Sequence, residues 1–227
     1  MDQVMTLGIS VRNVSVSYAQ TPVLQSIDLE IGAGQTLALT GPSGSGKSTL
    51  LGCITGLVVP TSGVVQVGDV CVTDLNETRR TAFRRARVAL LFQTPELLPE
   101  LSVIENVALI ALFDGVARAT ARSLAAESLE AVGLAGFEKR RVDELSGGEA
   151  QRVAIARALS REGVGLLVAD EPTAALDAHN VGHVTDVLLE FARRRGVTVL
   201  VATHDSAVAQ RMDSIVNLSE LVQASAA

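Results

Sequence analysis

Gly41-Pro42-Ser43-Gly44-Ser45-Gly46-Lys47-Ser48 decides how the rest of this 227-residue chain is read. It has the spacing G-x-x-x-x-G-K-S of a phosphate-binding loop. Ahead of it, Thr36-Leu37-Ala38-Leu39-Thr40 reads as a buried strand. Behind it, Thr49 to Leu57 places Leu50, Leu51, Ile54 and Leu57 at helical spacing. A strand feeding a glycine loop feeding a helix is the geometry that phosphate binding needs. The glycines let successive N–H groups converge on one point, and the helix N-terminus adds the positive end of its dipole. Lys47 is suited to neutralise terminal phosphates and the Ser48 hydroxyl to ligate Mg²⁺. The competing reading, a glycine-rich turn matching by accident, is disfavoured by the flanking strand and helix.

The length permits one large domain and a sizeable core. A formal net charge of -6 argues against nucleic acid as a partner. Mean hydropathy is high, +0.34, yet no apolar run reaches bilayer-spanning length. The hydrophobicity sits in short Val/Leu/Ala strands, as in a parallel sheet covered on both faces. Met1 to Ser10 lacks a basic patch followed by an apolar core, so no secretory leader is expected. Cys53 and Cys71 have no ligand spacing and read as reduced, mostly buried thiols.

Val11, Val14 and Val16 lead to Tyr18 in a strand-like run, and Ile27, Leu29 and Ile31 alternate with Asp28 and Glu30. Val64 to Val67 and Val70 to Val72 read as a hairpin about Gly68-Asp69, giving a small antiparallel sheet. Leu75 to Arg87 is a basic helix, first of all a solvated face and otherwise a contact with a membrane subunit or lipid headgroups. Val88 to Phe92 is a strand ending on Gln93, and Thr94 to Leu101 an exposed loop. Ser102-Val103-Ile104-Glu105 is a capping box for a helix to about Phe113, and a second helix, Ala117 to Val132, stops at Gly133. Ser146-Gly147-Gly148 opens a helix running to about Ser160 and is a second potential anion site. Gly165 to Ala169 and Val197 to Ala202 are further buried strands, and Asp177 is placed to cap a helix from Ala178 to Arg195.

In open α/β sheets, ligands sit beyond the carboxyl ends of the strands. Four such ends are expected at Thr40, Phe92, Ala169 and Ala202. They deliver the phosphate loop, Gln93, Asp170-Glu171 and His204 to one rim. Asp170 suits Mg²⁺, Glu171 suits the general base, Gln93 positions the water or completes the metal shell, and His204 reaches the γ-phosphate. Any one of these at a strand end is commonly just hydrogen-bonded; the set, in this order, points to nucleotide hydrolysis.

These stretches resemble the ATP-binding-cassette (ABC) ATPases over nearly the whole chain. Gly41 to Ser48 resembles their Walker A motif, Leu166 to Glu171 their Walker B motif, and Leu145 to Leu159 their signature motif. Gln93, Asp177 and His204 match the Q-, D- and H-loops, and Tyr18 falls where the family stacks an aromatic on adenine. The resemblance implies an α/β P-loop fold with a mostly parallel sheet and a small antiparallel subdomain. It implies a nucleotide core over 1–92 and 146–227 and an inserted helical subdomain over 93–145. ATP is implied at Tyr18, at Gly41 through Thr49, at Ser146, Gly147 and Gly148, and at Asp177, with Mg²⁺ at Ser48, Gln93 and Asp170. Within the family, Leu98 to Val107 and Ala169 to Thr173 are similar to ATPases paired with macrolide-export, lipoprotein-release and haem-export permeases.

The same resemblance implies a head-to-tail homodimer on two ATPs, and separate transmembrane permease subunits met by a mobile surface, Gln93 to Leu101. The chain would then lie at the cytoplasmic face of the membrane, driving export or extraction of a hydrophobic substrate. A mechanotransmitting ATPase that moves no substrate carries the same motifs. DNA-repair relatives need a long coiled-coil insertion or cysteine-rich zinc modules. The stretch between Gln93 and Leu145 is too short for the first, and two cysteines are too few for the second.

Overall fold

Hydrophobic spacing accounts for both kinds of sheet in this protein. The computed structural model describes residues 6–161 and 163–224. In chain order the elements are β1 (Ile9–Tyr18), β2 (Thr21–Ile31), β3 (Thr36–Thr40), α1 (Lys47–Ile54), β4 (Ser62–Val67), β5 (Val70–Cys71) and α2 (Glu77–Arg87). There follow β6 (Val88–Leu91), α3 (Val103–Phe113), α4 (Arg118–Ala131) and α5 (Gly147–Leu159). Last come β7 (Leu166–Asp170), α6 (Ala178–Arg195), β8 (Thr198–Ala202), α7 (Ser206–Ala209), β9 (Ser214–Asn217) and α8 (Leu218–Ala224). They group into two compact units. One holds residues up to Val88, Gly163–Asp170 and the chain from Ala192 on; the other holds Ala89–Glu162 and Glu171–Phe191.

In the first unit, strands run β2-β1-β4-β5 in an antiparallel sheet. The β1–β2 register shifts three times. Between the Val11–Leu29 and Val14–Ile27 pairs the extra residue is in β1; between Val14–Ile27 and Val16–Leu24, and again between Val16–Leu24 and Ser17–Pro22, it is in β2. The first two shifts offset each other, with Asn13 and Ser26 in left-handed conformations. The peptide N–H groups displaced by the bulges are satisfied by side chains: Asn13 N donates to Asp28 Oδ1 at 2.9 Å, and Ser26 N to Ser15 Oγ at 2.9 Å. Val11, Val14, Val16, Leu24, Ile27 and Leu29 thereby all stay buried.

The same unit holds parallel strands side by side in the order β7, β8, β3, β9. Leu166, Leu167, Val168, Val199, Leu200, Val201, Ala38 and Leu39 are all at most 2 % exposed, as the near-continuous apolar runs require. Truncating one of the leucines to Ala costs about 2–5 kcal/mol. β7 runs one residue further than the sequence suggests and ends on Asp170; β6 stops one residue earlier, at Leu91. β9 passes straight into α8, where Asn217 Oδ1 accepts from Ser219 N at 3.0 Å.

α2 starts at Glu77 because Asn76 caps it, its Oδ1 accepting from Arg79 N at 2.9 Å. Arg79 and Arg85 are exposed, and the other three arginines are engaged locally. Arg80 donates to the Leu75 carbonyl, Arg84 to the Gly56 carbonyl and the Thr81 hydroxyl, and Arg87 pairs with Asp69.

The second unit is helical apart from β6. Val103, Val107, Ala121, Ala125, Leu129, Val153 and Ile155 form its core. The expected capping box opens α3: Glu105 Oε2 accepts from Ser102 N at 3.0 Å and from its hydroxyl at 2.7 Å. These bonds, the hydroxyl's first, hold the Glu105 carboxyl below its ordinary range. α4 closes at Gly133, with Gly133 N donating to Glu130 O and Leu134 N to Leu129 O.

Candidate active site

The phosphate loop joins β3 to α1. Gly46 is the N-cap of α1, with φ 98°, and no described side chain caps the helix. The first N–H groups of α1 therefore point out of the loop available to an acceptor. Two constraints demand glycine at 46. The left-handed φ is one; the other is space, since a Cβ there would stand 2.7 Å from Leu24 Cδ2. Lys47 is 9 % exposed and folds back over the loop, its Nζ donating to the carbonyls of Gly41 at 2.9 Å and Pro42 at 3.0 Å. Two of the three ammonium protons are thus held within the loop. Ser45 Oγ is buried with no hydrogen-bond partner among the described residues.

Register places the other catalytic candidates of this unit at the same edge. Leu39 and Asp170 are both in register with Ala202, on opposite sides of β8. Two strand spacings, about 10 Å, therefore separate the last row before the phosphate loop from the Asp170 backbone. Glu171 follows at φ 48°, and Ala174 N donates to its carbonyl at 3.2 Å. This left-handed residue ends the extended backbone of β7 directly after Asp170. Beyond β8, Thr203 N donates to Leu39 O at 3.1 Å, and Asp205 N to the Thr203 hydroxyl at 3.0 Å. His204 is held between these anchors and exposed to solvent.

Tyr18 ends β1 opposite Thr21, across a two-residue turn in which Ala19 and Gln20 both have positive φ. Its side chain is 51 % exposed. The Gly46 contact shows where its hairpin lies. Leu24, which meets Gly46, is paired with Val16, and Tyr18 lies two residues, about 7 Å, further along the same face of β1. Sequence spacing alone does not show that this hairpin lies against the phosphate loop.

In the second unit, Gln93 follows β6 in an exposed segment whose backbone carbonyls are held at several points. Gln151 Nε2 donates to the Phe92 carbonyl at 3.4 Å and Arg157 Nη1 to the Glu96 carbonyl at 2.6 Å. Asn106, fully buried, accepts from Leu98 N at 2.8 Å and donates to the Leu98, Leu101 and Ser102 carbonyls. Arg141 donates to the Pro99 carbonyl at 3.2 Å. A polar Asn on the apolar stripe of Val103-Ile104-Glu105-Asn106-Val107 is the sequence signal for one of these tethers; Gln151 and Arg157 carry none.

Ser146 caps α5, its hydroxyl accepting from Glu149 N at 3.3 Å while Glu149 Oε2 accepts from Ser146 N at 2.7 Å. Those bonds, with the charges of Arg140 and Arg152, pull the Glu149 carboxyl below its usual range. The two glycines differ. A Cβ on Gly147 meets open space, whereas one on Gly148 would lie 3.1 Å from the Ala175 carbonyl. Asp177, two residues on, accepts from Asn180 N at 3.0 Å and Asn180 Nδ2 at 2.7 Å and is exposed. Those bonds hold its carboxyl below the ordinary value.

Oxygen donors at Ser48, Asp170 and Gln93 are the ligand type that a hard cation such as Mg²⁺ takes. The first two are exposed or half-buried in the unit that also carries the orphaned Ser45 hydroxyl, so these two donors fit such a cation.

An uncapped helix behind a glycine loop at the carboxyl edge of a parallel sheet defines a P-loop nucleotide-binding protein. A profile of the family described as ABC transporter matches residues 24–174. The lipoprotein-releasing system ATP-binding protein LolD 1 of Rhodospirillum rubrum is 44% identical over 198 residues, 87% of this chain and 87% of that protein. LolD of Novosphingobium aromaticivorans is 42% identical over 219 residues, 96% of this chain and 97% of that one. The dimeric structure of MJ0796, a bacterial ABC transporter cassette, matches with TM-score 0.87 and 35% identity over 92% of this chain and 93% of that chain. The chain belongs to the ABC transporter family, as an ATP-binding protein and ABC-type ATPase.

Proposed function

We propose that this chain is the motor of a transporter whose permease is a separate protein, and that it works as a head-to-tail pair closed on two ATPs. The observation that carries this is the phosphate loop: an uncapped α1 N-terminus with Lys47 held over it by two carbonyls. The dimeric match and the open face at Gly147 support the pairing, in which Ser146, Gly147 and Gly148 of one copy close on the γ-phosphate at the phosphate loop of the other. Tyr18 stacks on adenine. Among the described residues no helix is long and apolar enough to cross a membrane, so attachment at the cytoplasmic face falls to the permease. The relatives named for lipoprotein release make a hydrophobic, lipid-bearing substrate the reading of choice.

Ser48, Asp170 and Gln93 would hold Mg²⁺, which neutralises charge on the phosphate oxygens when bound. Lys47 exchanges its loop carbonyls for phosphate oxygens. Glu171 takes the proton from the attacking water as its oxygen bonds to the γ-phosphorus; the bond to the bridging oxygen breaks, and its electron pair leaves on ADP. His204 donates a hydrogen bond to the γ-phosphoryl oxygens.

Glu171→Gln keeps shape but removes the basic oxygen. It is expected to bind MgATP, hydrolyse it at least about a hundredfold more slowly, and accumulate as an ATP-bound dimer on size exclusion. Asp170→Asn should instead weaken Mg²⁺-dependent nucleotide binding. Wild-type turnover by Glu171→Gln in a single-turnover assay removes the base from Glu171.

A further inference from the structure

Two side chains of α5 grip the segment around Gln93 from either side. Gln151 is fully buried and spends its Nε2 on the carbonyl of Phe92, the residue before Gln93. Its Oε1 is buried without a hydrogen-bond partner among the described residues. For stability alone this is a poor choice of residue, because an unpaired buried acceptor is costly and an apolar side chain of the same length is not. Arg157, about 9 Å further along the helix, donates to the carbonyl of Glu96, three residues past Gln93. Both bonds go to backbone, so they fix the path of the chain whatever side chains that segment carries. The same helix begins at Ser146-Gly147-Gly148, the second anion site.

We propose that Gln151 and Arg157 are positioning residues for Gln93: they tie the Phe92–Glu96 backbone to α5, so that Gln93 shifts with the N-terminus of that helix. The consequence is coupling. Closure of Ser146, Gly147 and Gly148 on a nucleotide and placement of Gln93 become one movement of one helix. The proposal rests on the reading of Gln93 as part of the hydrolytic site.

The test uses the full chain with Gln151→Met and Arg157→Met, which keep side-chain length and remove the donors, and Arg157→Lys as the conservative control. Three readouts are needed: hydrogen exchange of the amides between Gln93 and Leu97, steady-state ATPase, and thermal midpoint. The expected result for Gln151→Met is an unchanged or higher midpoint and exchange about tenfold faster in that segment alone. Its kcat should fall about 10- to 100-fold with KM little changed. In a Gln93→Ala background the same substitution should lower kcat no further, since it acts through Gln93. Exchange that stays at the wild-type rate overturns the grip. Faster exchange with an equal loss of kcat in both backgrounds overturns positioning of Gln93. If Gln93→Ala alone keeps full kcat, it is the hydrolytic reading of Gln93 that fails, and the exchange data still decide whether α5 holds the segment. Should Gln151→Met not fold, Arg157→Met against Arg157→Lys carries the same three readouts.

Discussion

Gly148 lies so close to Ala175 that a methyl group on it would stand 3.1 Å from the Ala175 carbonyl oxygen. The N-terminus of α5 and the loop that leads to Asp177 are thus packed backbone to backbone. Gly147, one residue earlier, faces open space. Gly147→Ala should raise the thermal midpoint slightly, since Ala is favoured over Gly in helices by about 1 kcal/mol. If the proposed pairing holds, it should nevertheless lose the ATP-dependent dimer, because the methyl would fill the open face at Gly147. Gly148→Ala should show no such thermal gain, the clash with Ala175 cancelling it. Calorimetry and size exclusion with ATP distinguish the two; equal behaviour would show that neither face matters.

Tyr18 is expected to provide adenine stacking, worth about 1–3 kcal/mol. Tyr18→Ala should weaken ATP affinity correspondingly, and Tyr18→Phe should keep most of it. Nucleotide titration of the two variants is the measurement. Equal ATP affinity in wild type and Tyr18→Ala would remove the role.

Leu98 is 44 % exposed on a loop whose backbone is held by Asn106 and Arg141. Such a fixed apolar point suits contact with a permease. Leu98→Asp should leave the isolated subunit folded and its basal ATPase intact while separating hydrolysis from transport in the assembled complex. Normal assembly and transport would place the interface elsewhere.

Burial drives the Cys53 thiol from 9.0 up to about 12. Folding therefore favours the protonated thiol. Its contribution is complete below pH 9 and is lost as pH rises toward 12, by about 1.4 kcal/mol per pH unit. Cys53→Ala should lower stability near neutral pH yet flatten its alkaline decline. Thiol labelling at pH 8 should modify Cys71, which is half-buried, rapidly and Cys53 only after unfolding. Equal labelling rates in the folded protein would contradict the burial argument.

What the sequence by itself determined are the features whose cause is local. The strand, loop and helix around Gly41 to Thr49 follow from backbone freedom and helix periodicity, the start of α3 from the Ser102–Glu105 box, and the end of α4 from Gly133. Even there the boundaries slipped by a residue or two, enough to bring Asp170 into the β7 ladder. Tertiary structure alone decided which distant residues meet. That β8 lies between β3 and β7 sets Asp170 and Leu39 in one row, although 130 residues of chain intervene on a path no periodicity describes. That Leu24 fills the space beside Gly46 sets the β1–β2 hairpin against the phosphate loop, and that Gln151 and Arg157 reach backward to Phe92 and Glu96 tethers an exposed loop. Local conformation is governed by φ, ψ and hydrophobic period, which a few neighbouring residues set. Register and packing are governed by contacts between residues far apart in the chain, which exist only once the core has formed.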